Sequence, residues 1–297
     1  MTAGYRFVRF FLLGMIATAI LAAQDSPYTL KVDVAAISLD VAVFDGAGTP
    51  VTNLRKEDFE IYEDGRLQQI QSFSPSASPY NVLLIIDQSG SMREQVLFVS
   101  EAVNRFFANL RAQDQVEFAG FDNSVHMLVR WRSVRSGSKK VVNIGAGGNT
   151  DFYGALDWAA KELRKVQGRK AVLIFTDGGD YRLYEPKLDA VAFRKALETV
   201  RRTKVPFHFV GLGADPELGG AHIKRIAEET GGQAYFPKRI EEVVPLYDQI
   251  SRELGISYTI GYVSDKSARD GSYRNIKVVL PGKDLRTSPS RTGYTAN

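Results

Sequence analysis

The chain contains no cysteine, and only 3 histidines and 2 tryptophans among 297 residues. Without thiols there is no disulfide framework, no cysteine nucleophile and no thiolate zinc site. His126, His208 and His222 stand at neither His-x-x-x-His nor Glu-x-x-His spacing, so zinc ligation and paired-histidine base chemistry find no support. An excess of one charge is also missing: Lys+Arg 38 against Asp+Glu 34 leaves +4. The basic residues fall in mixed runs such as Lys161-Glu162-Leu163-Arg164-Lys165, the pattern of a solvated helix face rather than a phosphate-binding stripe. Nucleic acid is not an expected partner.

Long apolar runs are scarce as well. From Phe10 to Ala23 the chain is mostly apolar, with Arg6 and Arg9 before it and Ala22-Ala23 at its exit. A basic start, a short hydrophobic stretch and small residues make a secretory signal, whereas a membrane span needs roughly 20 apolar residues. Residues 1–23 are therefore expected to be a cleaved signal peptide; the competing reading is an uncleaved anchor. The mature chain is expected to be exported, whether periplasmic, cell-surface or secreted, with no transmembrane segment. Lacking disulfides there, it must be stable through its core alone.

What the sequence does contain changes texture along its length. Between Tyr28 and Phe73, Leu30, Val32 and Val34 and then Leu39, Val41 and Val43 alternate with polar residues, the period of half-buried strands. Phe59 to Tyr62 turns through Glu63-Asp64-Gly65-Arg66 into Leu67 to Phe73, and Ser74 to Pro79 reads as a linker. After it, apolar runs (Val82–Ile86, Val116–Phe121, Ala171–Phe175, Phe207–Val210) alternate with amphipathic stretches (Glu94–Leu110, Asp151–Val166, Ala190–Arg202, His222–Glu229). Strands buried on both faces and separated by helices predict an α/β fold, a doubly wound, mostly parallel sheet. The end returns to strands: Tyr258–Val263 and Tyr273–Leu280 flank a turn-rich segment and are predicted to form a hairpin. The organisation expected is an N-terminal β segment, 28–79; an α/β domain, 80–255; and a C-terminal β segment, 256–297. Each β segment is too small to bury a two-sided core, so the two are expected to pair into one β-sandwich-like domain with the α/β domain inserted between them.

In open parallel sheets ligands sit beyond the carboxyl ends of the strands. There the first α/β strand runs into Asp87-Gln88-Ser89-Gly90-Ser91, three oxygen side chains on alternate residues of one loop. Hard divalent cations prefer oxygen, and one such loop cannot complete an octahedral shell. Two further loops have the right character: Gly147-Gly148-Asn149-Thr150, and Thr176-Asp177-Gly178-Gly179 after another apolar strand.

Asp-x-Ser-x-Ser after an apolar strand, a later threonine in a glycine-rich loop and an Asp-Gly after a third strand together resemble the von Willebrand factor type A domain and its metal ion-dependent adhesion site. The flanking Leu54 to Gly65 and Arg291-Thr292-Gly293-Tyr294 look like the segments that bracket this domain in a bacterial family of secreted proteins. The resemblance implies that Asp87, Ser89, Ser91, Thr150 and Asp177 hold a divalent metal, Mg2+ with Mn2+ or Ca2+ as alternatives. It further implies a protein partner that supplies an acidic residue to the metal, and no enzymatic activity. Serine and threonine are neutral ligands, so such a cation keeps charge and a displaceable water for that acid. The short, basic span between Trp131 and Gly147 departs from the pattern, since the fold often carries a longer helix there.

Other functions remain open on the sequence. A magnesium-dependent hydrolase or phosphotransferase also places an aspartate after its first strand, but positions 89 and 91 are serines, unsuited to general acid catalysis near neutral pH. An assembly subunit that docks an ATPase is a third reading, opposed by export. Among the remaining motifs, Asp180 is expected to be a solvated turn residue, Asp265 to Gly271 a turn without a calcium loop's ligands, and Phe98, Phe106 and Phe107 core residues of one helix.

Overall fold

The computed structural model describes residues 36–134, 145–266 and 270–296, apart from Ser76, Pro216 and Leu218. The expected signal peptide lies outside the described residues.

The first described elements are strands β1 (Ala36–Phe44), β2 (Glu60–Glu63), β3 (Arg66–Gln68) and β4 (Ile70–Ser74). An α/β stretch follows, with β5 (Tyr80–Asp87), α1 (Val96–Asn109), β6 (Gln115–Phe121), β7 (Val125–Ser133), α2 (Phe152–Glu162), β8 (Arg169–Thr176) and α3 (Pro186–Thr203). It continues through β9 (Phe207–Gly211), α4 (Gly219–Thr230), β10 (Ala234–Tyr235) and α5 (Val243–Ile256). Strands β11 (Tyr258–Val263), β12 (Tyr273–Val279), β13 (Arg286–Pro289) and β14 (Gly293–Thr295) close the chain.

The middle stretch is an α/β domain around one six-stranded sheet in the order β10-β9-β8-β5-β6-β7, parallel except for β7, which runs antiparallel to β6. All eight residues of β5 are buried, as expected for a central strand covered on both faces. Val82, Leu84 and Ile86 point into one core with α1 and α5, while Leu83 and Ile85 point into a second with α2, α3 and α4. Helix α1 presents Val99, Ala102, Val103 and Phe106 to the first core, the i, i+3, i+4, i+7 stripe of an amphipathic helix. Phe98 is out of phase with that stripe and 42% exposed, so the expectation that it joins Phe106 and Phe107 in the core is corrected.

The outer strands form two four-stranded sheets, β13-β1-β11-β4 and β14-β12-β2-β3, packed about one apolar core that includes Leu39, Val41, Ile61, Tyr258, Ile260 and Val278. Strands from both ends of the chain therefore share each sheet. Asp64 and Gly65, at φ 46° and 80°, make the tight turn between β2 and β3, a left-handed pair suited to a two-residue hairpin. The predicted hairpin of β11 with β12 does not form. Both edges of β11 are taken, by β1 and β4, so β12 pairs instead with β2 and β14 in the opposite sheet.

Arg169, at the start of β8 and only 3% exposed, fastens the α/β domain to these sheets. Its guanidinium donates to the carbonyls of Ser78 (3.3 Å), Leu254 (3.3 Å) and Ser257, its Nε donates to Thr259 Oγ1 at 3.0 Å, and it lies 4.3 Å from the Tyr80 ring centroid. Tyr80 and Thr259 each donate a 2.6 Å bond to Asp40 of β1. One cation thus holds the two places where the chain crosses into and out of the α/β domain.

Candidate functional site

Register delivers the candidate residues to one end of the sheet. Pairing of β5 with β8 sets Ile86 opposite Phe175, which brings Asp87 beside Thr176. Asp87 is fully buried. Its Oδ1 accepts the Ser89 N–H at 2.9 Å and its Oδ2 accepts the Thr176 hydroxyl at 2.7 Å. Burial pushes its pKa up to about 6; hydrogen bonds from Ser89 and Thr176 oppose that rise, and the nearby Asp177 carboxylate adds to it.

Ser89 and Ser91 face each other, their Oγ atoms 3.1 Å apart. The loop they occupy is tied to the loop of Thr150 by two backbone bonds, Gly90 N–H to Gly148 O at 3.1 Å and Gly147 N–H to Gln88 O at 2.7 Å. Tyr181 N–H in turn donates to Thr150 O at 3.0 Å. Asp177 Oδ1 accepts Gly179 N–H at 3.0 Å. A β-carbon placed on Gly179 would lie 3.1 Å from Asp177 Oδ1 and 3.8 Å from Thr150 Oγ1, so both side chains border this glycine. Asp87, Ser89 and Ser91 thus form one group and Thr150 and Asp177 another on the adjoining loops, with the charge of Asp177 felt at Asp87.

Two neighbours of these residues escape the sequence reading. Thr176 orients Asp87, and its sign in the sequence is a hydroxyl directly after the apolar run Ala171–Phe175. Arg182 bridges the second and third loops, its Nη1 donating to Asp151 Oδ1 at 2.9 Å and to Asp180 Oδ1 at 3.0 Å. Asp180 is correspondingly not the solvated turn acid expected: it is 3% exposed and also accepts Tyr153 N–H at 3.2 Å. It caps the turn before α3 through Arg182 N–H at 2.9 Å.

The donor set is two carboxylates and three hydroxyls, all oxygen, as hard cations require. Among the described residues neither Asp87 nor Asp177 is ion-paired, so Asp87 is a buried acid served only by neutral donors. Burying an unpaired carboxylate is costly, and a cation is its natural complement; on this ground the residues fit a divalent metal. Among the described residues no three His, Cys, Asp or Glu side chains cluster as metal ligands, so coordination here would depend on hydroxyls and water. The histidines take part elsewhere. His126 meets Asp122 at 2.9 Å, His208 is buried, and His222 stacks 4.0 Å from Phe193.

A doubly wound α/β domain with oxygen-bearing loops gathered at the carboxyl ends of its central strands defines the class of this protein. The chain belongs to the von Willebrand factor type A domain family, whose profile matches residues 80–236, just over half of its length. Most members of that family are non-enzymatic adhesion modules, and they bind protein ligands. No curated protein matches the sequence. Among solved structures, the chain is similar to a von Willebrand factor type A protein from Catenulispora acidiphila, with a TM-score of 0.54 and 12% identity over 80% of this chain and 72% of that one. It is also similar to a point mutant of the PilB minor pilin from Streptococcus sanguinis, with a TM-score of 0.50 and 14% identity over 64% of each chain. At such identities the likeness is one of fold. Among the described residues no helix is long and apolar enough to cross a membrane.

Proposed function

We propose that this protein is an exported binding module that grips a protein partner through a divalent cation held by Asp87, Ser89, Ser91, Thr150 and Asp177. The observation that carries this reading is Asp87, a carboxylate buried at a strand end with no cationic partner among the described residues, beside loops that offer further oxygens. The metal, Mg2+ or in its place Mn2+ or Ca2+, would supply a Lewis-acidic point to which an acidic side chain of the partner binds. Asp87 and Asp177 would give it charge; Ser89, Ser91 and Thr150 would leave that charge incompletely neutralised. In the same proposal the strands of residues 28–79 and 256–297 make one discontinuous domain that carries the α/β domain, 80–255, as an insertion, and residues 1–23 direct export.

Titration calorimetry tests the site. One Mg2+ or Mn2+ is expected to bind per chain, and Asp87→Ala is expected to abolish binding while leaving the domain folded. Undiminished binding by that variant overturns the assignment.

A further inference from the structure

Beyond β9 and β10, the same end of the sheet carries a second concave feature. A pocket of about 630 Å3 lies against α4, within the ~300–1,000 Å3 typical of ligand sites. Ala214 and Ala221 contribute methyl groups to its lining and Gly220 bare backbone, and Phe236, 43% exposed, contributes an aromatic face. That ring rests on the end of β9, where a β-carbon at Gly211 would come within 2.9 Å of it. Lys224 and Arg225 also line the pocket, with Glu228. Arg225 meets Glu229 at 3.3 Å, whereas Lys224 has no ion-pair partner among the described residues.

The pocket adjoins the candidate metal loops through bare backbone. Gly178 follows Asp177, and a β-carbon on Gly219 would fall 1.9 Å from the Gly178 carbonyl oxygen, so only paired glycines permit this approach. Gly220, next along, already belongs to the pocket lining. Two bonded Cα–Cα steps and the close approach of Gly178 to Gly219 therefore put the Cα atoms of Asp177 and Gly220 no more than roughly 12 Å apart. About four residues of extended chain span that distance.

From this arrangement we propose that the pocket is a second anchor for the same partner segment. The segment is extended, places its acidic residue at the metal and inserts a bulky apolar side chain, three to five residues away, between Phe236 and the small residues of α4. The free ammonium of Lys224 favours a further acid beside that side chain. The inference rests on the metal-bridged reading above, and it gives that reading a partner chemistry: an acidic segment with one large apolar residue at fixed spacing.

A displayed library of random dodecapeptides, selected on the full chain in Mg2+ and eluted with chelator, tests it. Recovered peptides are expected to pair an acid with Leu, Ile, Phe, Tyr or Trp at that spacing. Their affinity is expected to fall at least tenfold in Ala221→Trp, which fills the pocket from an exposed helix position, and severalfold in Lys224→Glu. Unchanged Mn2+ affinity in both variants shows that the metal loops are intact, and Phe236→Ala provides a second pocket variant should Ala221→Trp misfold. Peptides that need metal but lack the apolar residue, or that bind Ala221→Trp normally, overturn the inference and leave the metal reading standing. Affinity that survives Asp87→Ala but is lost in Ala221→Trp overturns the metal reading instead. Recovery of no peptide counts against the inference.

Discussion

Thr176 Oγ1 donates a 2.7 Å hydrogen bond to Oδ2 of Asp87 across 89 positions of sequence. The same hydroxyl accepts Gly178 N–H at 3.0 Å, so it fixes both the buried acid and the start of the loop that carries Asp177. Thr176→Val is expected to weaken Mn2+ binding about 10- to 100-fold, as loss of a group that orients a ligand does. Stability should fall by ~1–3 kcal/mol, because a buried carboxylate oxygen and a backbone N–H lose their partner. Thr176→Ser, which keeps the hydroxyl, should restore most of the affinity in calorimetry. Equal loss in both variants would show that the hydroxyl does not matter.

Glu117 supplies a pH dependence away from the candidate metal loops. It is 1% exposed on β6, and burial, followed by the neighbouring Glu162 carboxyl, raises its pKa from 4.5 to about 7. Glu117 Oε2 and Glu162 Oε2 are both buried with no hydrogen-bond partner among the described residues, and Lys165, 2.6 Å from Glu162 Oε1, offsets the repulsion only in part. The folded state therefore holds the Glu117 proton more tightly than the unfolded chain does. The stabilisation is complete below about pH 4.5 and is lost as pH rises through about 7. Relative to Glu117→Gln, the parent protein is expected to lose on the order of 1–3 kcal/mol between pH 4.5 and pH 8. Urea denaturation of both proteins at the two pH values measures this, and parallel curves would refute it.

Hydrolysis separates the binding reading from a magnesium enzyme. The purified protein with Mg2+ is expected to release no product from nitrophenyl phosphate, single-stranded DNA or casein. Turnover that disappears in Asp177→Ala would establish the enzyme reading in its place.

Truncation tests how the outer strands depend on each other. A chain ending at Gly255 lacks β11 and β13, the two hydrogen-bonded neighbours of β1, and β12, a neighbour of β2. Residues 36–74 should then lose their protection from hydrogen exchange, while the sheet of β5, β6, β8 and β9 keeps much of its own. Retained protection of β1 would show that the N-terminal strands fold independently.

The parts of the molecule legible in the sequence are those with local causes. Strands β5, β8 and β9 are apolar because helices cover both their faces, and the candidate oxygens follow directly from the ends of two of those strands and the start of a helix. Strand β7 is legible only as the strand expected around His126: Val125, Met127, Val129 and Trp131 are half-buried and His126 and Arg130 exposed, a period-two signal that the exposed Leu128 interrupts. The partner of β12 is a matter of which edges remain free, and no run of residues encodes that. Arg182 and Asp180 look like ordinary turn residues until the third loop folds against the second. Phe98 shows the same limit within a helix: three phenylalanines near one another mark an apolar segment, but the phase of α1 decides which two are buried.

The junction at Arg169 also has a mechanical meaning. Strand β5 begins at Tyr80, whose ring lies against that guanidinium, and ends at Asp87. Tension between a partner held at the metal and the outer sheets would run lengthwise along this one strand. On either side β5 pairs in parallel with β6 and with β8, so such a pull strains both ladders of hydrogen bonds together instead of opening them one at a time. An attachment point at the far end of the central strand, rather than on a peripheral helix or an edge, would route force along a strand that is buried throughout its length.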